Sequence, residues 1–172
     1  MAVSLTVLKE ATSETRVAAT PETVKKMSAM GISVTVEAGA GAASGFTDAA
    51  YKGAGASVTK GISAALKKSD VVLGVRAPSA ANVKAMKANA VLIATLNPYQ
   101  SGAQVKAYAA AKIQAMSMEL MPRITRAQSM DVLSSQSNLS GYKAVLDATH
   151  EYGRALPMMM TAAGTIPAAR IF

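Results

Sequence analysis

The chain has 172 residues, of which 51% are hydrophobic and only 4% aromatic, enough for one buried core built from Ala, Val, Leu, Ile and Met. It holds no cysteine and one histidine, which excludes a disulfide framework and a thiolate metal site and leaves no ligand set for a metal. Net charge is +8, carried mainly by dispersed lysines with two Phe, five Tyr and no Trp beside them, so a solvated basic face outweighs a nucleic-acid groove, which favours clustered Arg and exposed aromatics.

In chain order, short apolar runs alternate with helical stretches. Residues 3–8 read as a first strand. Thr20, Pro21 and Glu22 then supply an N-cap, a proline at the first helical position and an acid in the first turn, ahead of Val24, Met27 and Met30 at helical spacing. Gly31 closes that helix, and 32–36 is the second strand. A short helix opens at Thr47-Asp48, followed by a weak strand at 56–58 and a helix at 62–68. Strands at 71–75, 91–96 and 113–116 enclose helices at 80–88 and 103–111. This rhythm implies an α/β fold with a mostly parallel, doubly wound sheet of the Rossmann or flavodoxin-like kind. From Pro122 the rhythm stops, giving a polar loop, one long helix to about Leu156 and the run PMMMTAAGTIPAAR. Residues 1–121 therefore read as the body of a domain, and 122–172 as a connector entering a second one. The start MAVSLTVLKE is too short and polar for a signal peptide, and runs such as AVLIATL fall far short of the ~20 residues a membrane helix needs. No direct membrane insertion is expected.

Several residues invite chemistry. GAGAASG at 39–45 follows a strand and precedes a helix, as a dinucleotide turn does, but Ser44 stands where the third glycine of G-x-G-x-x-G belongs. A flexible strand-to-helix loop is the better reading. Arg16 and Arg76 lie near strand ends, where open α/β sheets bind ligands, and a structural role is the stronger expectation for both. His150 lacks an acid or nucleophile arranged around it, so it reads as a partly exposed helix residue. Met158, Met159 and Met160 read as core or interface filler.

The stretch MELMPRITRAQSMDVLSSQSNLSGY, from Met118 to Tyr142, is different in kind. It packs Arg123, Arg126, Gln128, Asp131 and five serines beside a helix in which Leu139, Tyr142, Leu146 and Thr149 share one side. Taken alone, it is either a polar binding loop or a well-capped helix start with Ser129 as N-cap. This run, with PMMMTAAGTIPAAR, KEATSETRVAATPETV, VEAGAGAASGFTDAAY and DVVLGVRAP, resembles the soluble NAD(H)-binding component, the alpha subunit, of proton-translocating NAD(P) transhydrogenases. The likeness covers nearly the whole chain. Its first portion is also similar to the N-terminal domain of alanine dehydrogenases, which use such basic positions for a carboxylate substrate. Here the segment TLNPY offers Asn97 and no histidine.

The resemblance implies hydride transfer between NAD(H) here and NADP(H) on a partner subunit, coupled to proton movement by a membrane domain. Such a reaction needs two nicotinamides held close and dry, without acid, base or metal. It implies that Arg123 holds the nicotinamide end of NAD(H) and that Asp131 and Ser134 fix the carboxamide. Gln128 reaches across to the NADP(H)-bearing partner, and Ile124, Thr125, Ser129 and Met130 line the loop through their backbones. Gln128 and Asp131 are the residues it places nearest the reaction. It further implies a homodimer, a cytoplasmic position peripheral to the inner membrane through the partner, and no nucleic-acid partner.

In that family the strand beginning around residues 170–172 continues into the glycine fingerprint that cradles pyrophosphate on a helix N-terminus, and later helices return to complete the first domain. Residues 1–172 contain neither, so they are expected to bind NAD(H) poorly or not at all by themselves. The alternative function is a non-catalytic binding or assembly module that keeps the sheet domain and the partner loop.

Overall fold

A computed structural model describes residues 2–170. The expected arginine-led strand at 170–172 falls largely outside them, and Arg170 itself has no regular structure. The chain divides into two compact units, Met1–Pro122 and Arg123–Phe172.

In the first unit, β1 (Ser4–Val7), α1 (Pro21–Ala29), β2 (Ser33–Glu37), α2 (Asp48–Gly53), β3 (Ser57–Thr59), α3 (Ile62–Leu66), β4 (Val71–Arg76), α4 (Ala80–Ala85), β5 (Val91–Thr95), α5 (Gly102–Ala110) and β6 (Gln114–Ser117) follow one another. The six strands pair in the order β3-β2-β1-β4-β5-β6, and every pairing is parallel. This is the α/β doubly wound sheet that the alternation implied. Local signals set the helix starts: Thr20 accepts from the Thr23 amide at 3.3 Å with Pro21 at the first position, and Thr47 and Ser79 cap α2 and α4 likewise.

Two apolar layers hold the sheet. Leu5, Val7, Val34 and Val36 meet Val24 and Tyr51 of α1 and α2 on one face. On the other, Val72, Leu92 and Leu8 meet Ile62 and Leu66 of α3, Val83 of α4 and Tyr108 of α5. Strands of a parallel sheet read as near-continuous apolar runs, which explains why VVLGV and VLIATL were legible. The α1/α2 layer lies over β1–β3 and reaches Val71 and Leu73 of β4. On that same face the cross-strand neighbours Val71 and Val91, and Leu73 and Ile93, are half-buried, and Met116 is 52% exposed.

The second unit holds α6 (Val132–Tyr152) and an antiparallel hairpin of β7 (Met159–Thr161) and β8 (Gly164–Ile166). The helix ends at Tyr152 because Gly153 adopts φ 65°, short of the Leu156 expected from sequence. The hairpin was not foreseen: its strands are three residues each and their period is hidden in a run of methionines. Met158, Met159 and Met160 are exposed, which corrects their reading as core.

Candidate functional site

Two places carry functional groups. The first is the switch point of the sheet, where chain order reverses between β1 and β4 and open α/β folds form a crevice at the strands' C-terminal ends. A crevice of about 360 Å3 opens there, lined by Lys9, Glu10, Glu37, Arg76, Ser79 and Asn82. Its chemistry is set by two carboxylates. Glu10 accepts from the amides of Val75 at 2.6 Å and Arg76 at 3.2 Å, bridging the break in register between β4 and β5 after Leu73. The break needs Gly74, since a Cβ there would stand 2.9 Å from the Arg76 carbonyl oxygen. Glu14 takes Arg16 Nε at 2.8 Å and Nη2 at 2.7 Å, and Arg76 Nε at 3.0 Å.

Both arginines therefore spend their charge on one nearly buried carboxylate, and Lys9, Arg16 and Arg76 are matched by Glu10, Glu14 and Glu37. The structural role expected for the arginines has this geometry as its basis. The Arg16 side chain holds the Glu14 carboxyl down at about 2 against an ordinary 4.5; burial opposes this, and the Arg16 amide and Arg76 side chain add to it. A folded pKa below the unfolded one means stability that is present above pH 4.5 and lost as pH falls towards 2. Glu14→Gln is expected to cost about 1 kcal/mol at neutral pH, since the arginines are half-exposed. Thermal unfolding followed against pH checks this: the gap to the unmodified chain should close across that acid window, and a pH-independent gap would contradict the assignment.

The loop at 39–45 is a packing device. The Gly39 amide donates to Asp48 Oδ1 at 2.8 Å, and Ser44 Oγ to the Thr15 carbonyl at 2.6 Å. A Cβ on Gly41 would stand 2.7 Å from the Tyr51 ring, and Tyr51 in turn donates its hydroxyl to the Ala19 carbonyl at 2.8 Å. The glycines admit Tyr51 rather than a phosphate.

The second place is the start of the second unit. Arg123 is exposed, Ile124 is extended and exposed, and Thr125–Met130 form a 3-10 turn that buries Ala127 and leaves Thr125, Gln128, Ser129 and Met130 at the surface. Asp131 is the N-cap of α6, not Ser129. Its Oδ1 accepts from the Ser134 amide at 3.0 Å and its Oδ2 from Ser134 Oγ at 2.6 Å, while its carbonyl accepts from Ser135 Oγ at 2.9 Å. Asp outranks Ser here because its two oxygens serve amide and hydroxyl together. The Ser134 hydroxyl and then its amide hold the Asp131 carboxyl below the usual range, with the Arg123 charge a smaller contributor. Asp131 and Ser134 are thus joined, and Gln128 and Arg123 flank them in sequence on exposed backbone. Each carboxylate oxygen keeps a lone pair for a ligand N–H.

The helix side that was expected to pack is open: Leu139 is 59%, Tyr142 68% and Leu146 46% exposed. His150 is exposed in the last turn of α6. Sequence reasoning passed over Glu10, Glu14 and Glu119, which accept backbone or guanidinium N–H groups at strand ends; Glu119 takes the amides of Leu96 and Asn97. The available signal was a carboxylate placed just beyond each apolar run.

The family model for the alanine dehydrogenase/PNT N-terminal domain matches residues 6–140. An NAD(P) transhydrogenase alpha subunit of Rhodospirillum rubrum is 50% identical over 163 residues, covering 92% of this chain and 42% of that protein. The NAD(P) transhydrogenase alpha subunit of Haemophilus influenzae is 41% identical over 158 residues, covering 92% and 30%. Among solved structures, a transhydrogenase from Sinorhizobium meliloti superposes with a TM-score of 0.89 at 53% identity, over 96% of this chain and 50% of that one. An L-alanine dehydrogenase gives 0.64 at 26% identity, over 68% and 32%. The chain spans less than half the length of these curated relatives.

Proposed function

The chain belongs to the alanine dehydrogenase/PNT N-terminal-domain family, and on that premise we propose that it works as the NAD(H)-side portion of an NAD(P) transhydrogenase. The observation that carries this reading is how far each likeness extends. The transhydrogenase structure follows 96% of the chain, the alanine dehydrogenase 68%. The switch-point crevice points the same way. Glu14 already occupies the two arginines that a carboxylate substrate would need, and Asn97 stands in place of a proton-transferring histidine.

In this reading residues 123–134 hold the nicotinamide end of NAD(H). Arg123 supplies the cation, Asp131 and Ser134 grip the carboxamide, and Gln128 reaches the NADP(H)-bearing partner. Ile124, Thr125, Ser129 and Met130 contribute backbone groups. The bound cofactors supply the hydride donor and acceptor, and the chain's own residues orient one ring and exclude water. Proton translocation belongs to a membrane partner, and dimerisation and a membrane-peripheral position are included in the same proposal. No helix among the described residues is long and apolar enough to cross a membrane.

Ser134→Ala tests the grip without breaking the cap, because the Ser134 amide still reaches Asp131. In the full-length protein it is expected to raise the NADH dissociation constant about tenfold, the loss of one charge-assisted hydrogen bond, with helix content unchanged. An unchanged constant would remove Ser134 from the site. A non-catalytic assembly module is the second reading, favoured by the open apolar side of α6; under it this variant would change neither binding nor turnover.

A further inference from the structure

The first unit is electrically polarised along its strands. Residues 1–122 hold seven acids, and six of them, Glu10, Glu14, Glu22, Glu37, Asp48 and Glu119, lie at the strands' C-terminal edge or at the helix starts there. At the opposite edge, where each helix ends and the next strand begins, stand Lys26, Lys52, Lys67, Lys68, Lys84, Lys87 and Lys112. Backbone bonds fix several of these at that edge. The Lys68 carbonyl accepts from Ser4 Oγ at 2.8 Å, and the Lys112 carbonyl from the Asn89 amide at 2.8 Å. One acid, Asp70, is also there, but Lys87 at 2.5 Å and the Ser4 amide at 2.8 Å engage it. Lys26 is paired with Glu22 at 2.7 Å. Lys52, Lys67, Lys68, Lys84 and Lys112 are all exposed, and no acid in the described residues is paired with them.

Lysines at helix ends favour the helix dipoles, which accounts for each one singly. It does not account for the near absence of acids among them. The chemistry of the edge also selects its partner. It has no arginine fork for planar bidentate recognition and no exposed aromatic to stack on a base. It has no large apolar anchor cluster of the kind that centres a protein interface, and the crevices around Lys9, Gly39 and their neighbours all open at the other edge. What it adds to the lysines is Met30, 71% exposed at the end of α1, and Val3, 46% exposed ahead of β1. A diffuse set of point charges with two scattered apolar side chains suits the headgroup layer of an anionic bilayer.

We propose that this lysine edge, built around Lys67, Lys68 and Lys112, docks the chain electrostatically on an anionic lipid surface without inserting a helix. The proposal is independent of hydride transfer. It turns the crevice edge, with its carboxylates, away from the membrane.

The experiment is sedimentation of the chain with vesicles of phosphatidylcholine alone or with about 30 mol % phosphatidylserine, at about 0.1 M and about 1 M salt. Binding is expected only with the anionic lipid and only at the lower salt. The triple variant K67Q/K68Q/K112Q is expected to weaken it about a hundredfold. K9Q/K60Q/K106Q removes the same charge from exposed lysines away from that edge and is expected to weaken it less than about tenfold. Circular dichroism confirms that both variants fold. Absence of binding to anionic vesicles at low salt, or equal loss in the two triple variants, overturns the proposal. Equal affinity for polyglutamate also overturns it, by making an acidic polypeptide the partner.

Discussion

Replacing Gln128 with Asn in the full-length protein, assembled with its NADP(H)-binding partner, is expected to slow hydride transfer about a hundredfold while leaving NADH affinity within about threefold. The expectation follows from where the side chain stands. Gln128 is exposed on the 3-10 turn Thr125–Met130, between buried Ala127 and the helix cap at Asp131. The backbone on either side is therefore held, and the side chain is free to reach outward. Asn keeps the amide but shortens the reach by one methylene, roughly 1.5 Å. Rates of reactions between two positioned rings fall by orders of magnitude for displacements of about 1 Å, whereas binding of either cofactor separately does not depend on their mutual distance. Single-turnover kinetics with NADH and NADP+ separate the two quantities. An unchanged rate would favour the assembly-module reading.

The other large effect concerns residues 1–172 taken by themselves. In the proposed function the loop at 123–134 would grip only one end of a dinucleotide, and residues 1–172 contain no G-x-G-x-x-G turn to cradle the pyrophosphate. The near match at 39–45 is filled by Tyr51 and tied to Asp48 and Thr15. Without a phosphate cradle and adenosine contacts several charge-assisted hydrogen bonds are missing, so NADH should bind to residues 1–172 on the order of a thousandfold more weakly than to a whole transhydrogenase alpha subunit such as the Rhodospirillum rubrum relative. Fluorescence titration or calorimetry measures it. Saturation in the low micromolar range would show that the isolated chain has a dinucleotide site of its own.

Much of the fold was legible because its signals are local. Thr20-Pro21-Glu22 specifies a helix start through one cap and one fixed φ, and the apolar runs at 71–75 and 91–95 can be satisfied only inside a covered sheet. The elements that were misread depend on partners distant in sequence. The side of α6 carrying Leu139, Tyr142 and Leu146 has helical spacing, but spacing cannot say what covers it, and here it is open. The choice of Asp131 over Ser129 as cap turned on a 3-10 turn running through Met130, which moves the helix start beyond it. The site loop itself stood out by composition, but the roles of its residues came from resemblance. Glu10 was passed over because its partner, the Val75 amide, lies 65 residues away, and the Arg76 that Glu14 shares with Arg16 lies 62 away.

Direct passage of hydride between two nicotinamides is the central claim, and isotope transfer tests it most directly. The full-length protein, assembled with its partner, is given NADH deuterated at the transferable position of the nicotinamide together with NADP+. The expected product is NADPH that carries the deuterium with no loss to solvent, since no residue of the site exchanges a proton with the migrating group. Formation of unlabelled NADPH, or no NADPH at all, would contradict the claim.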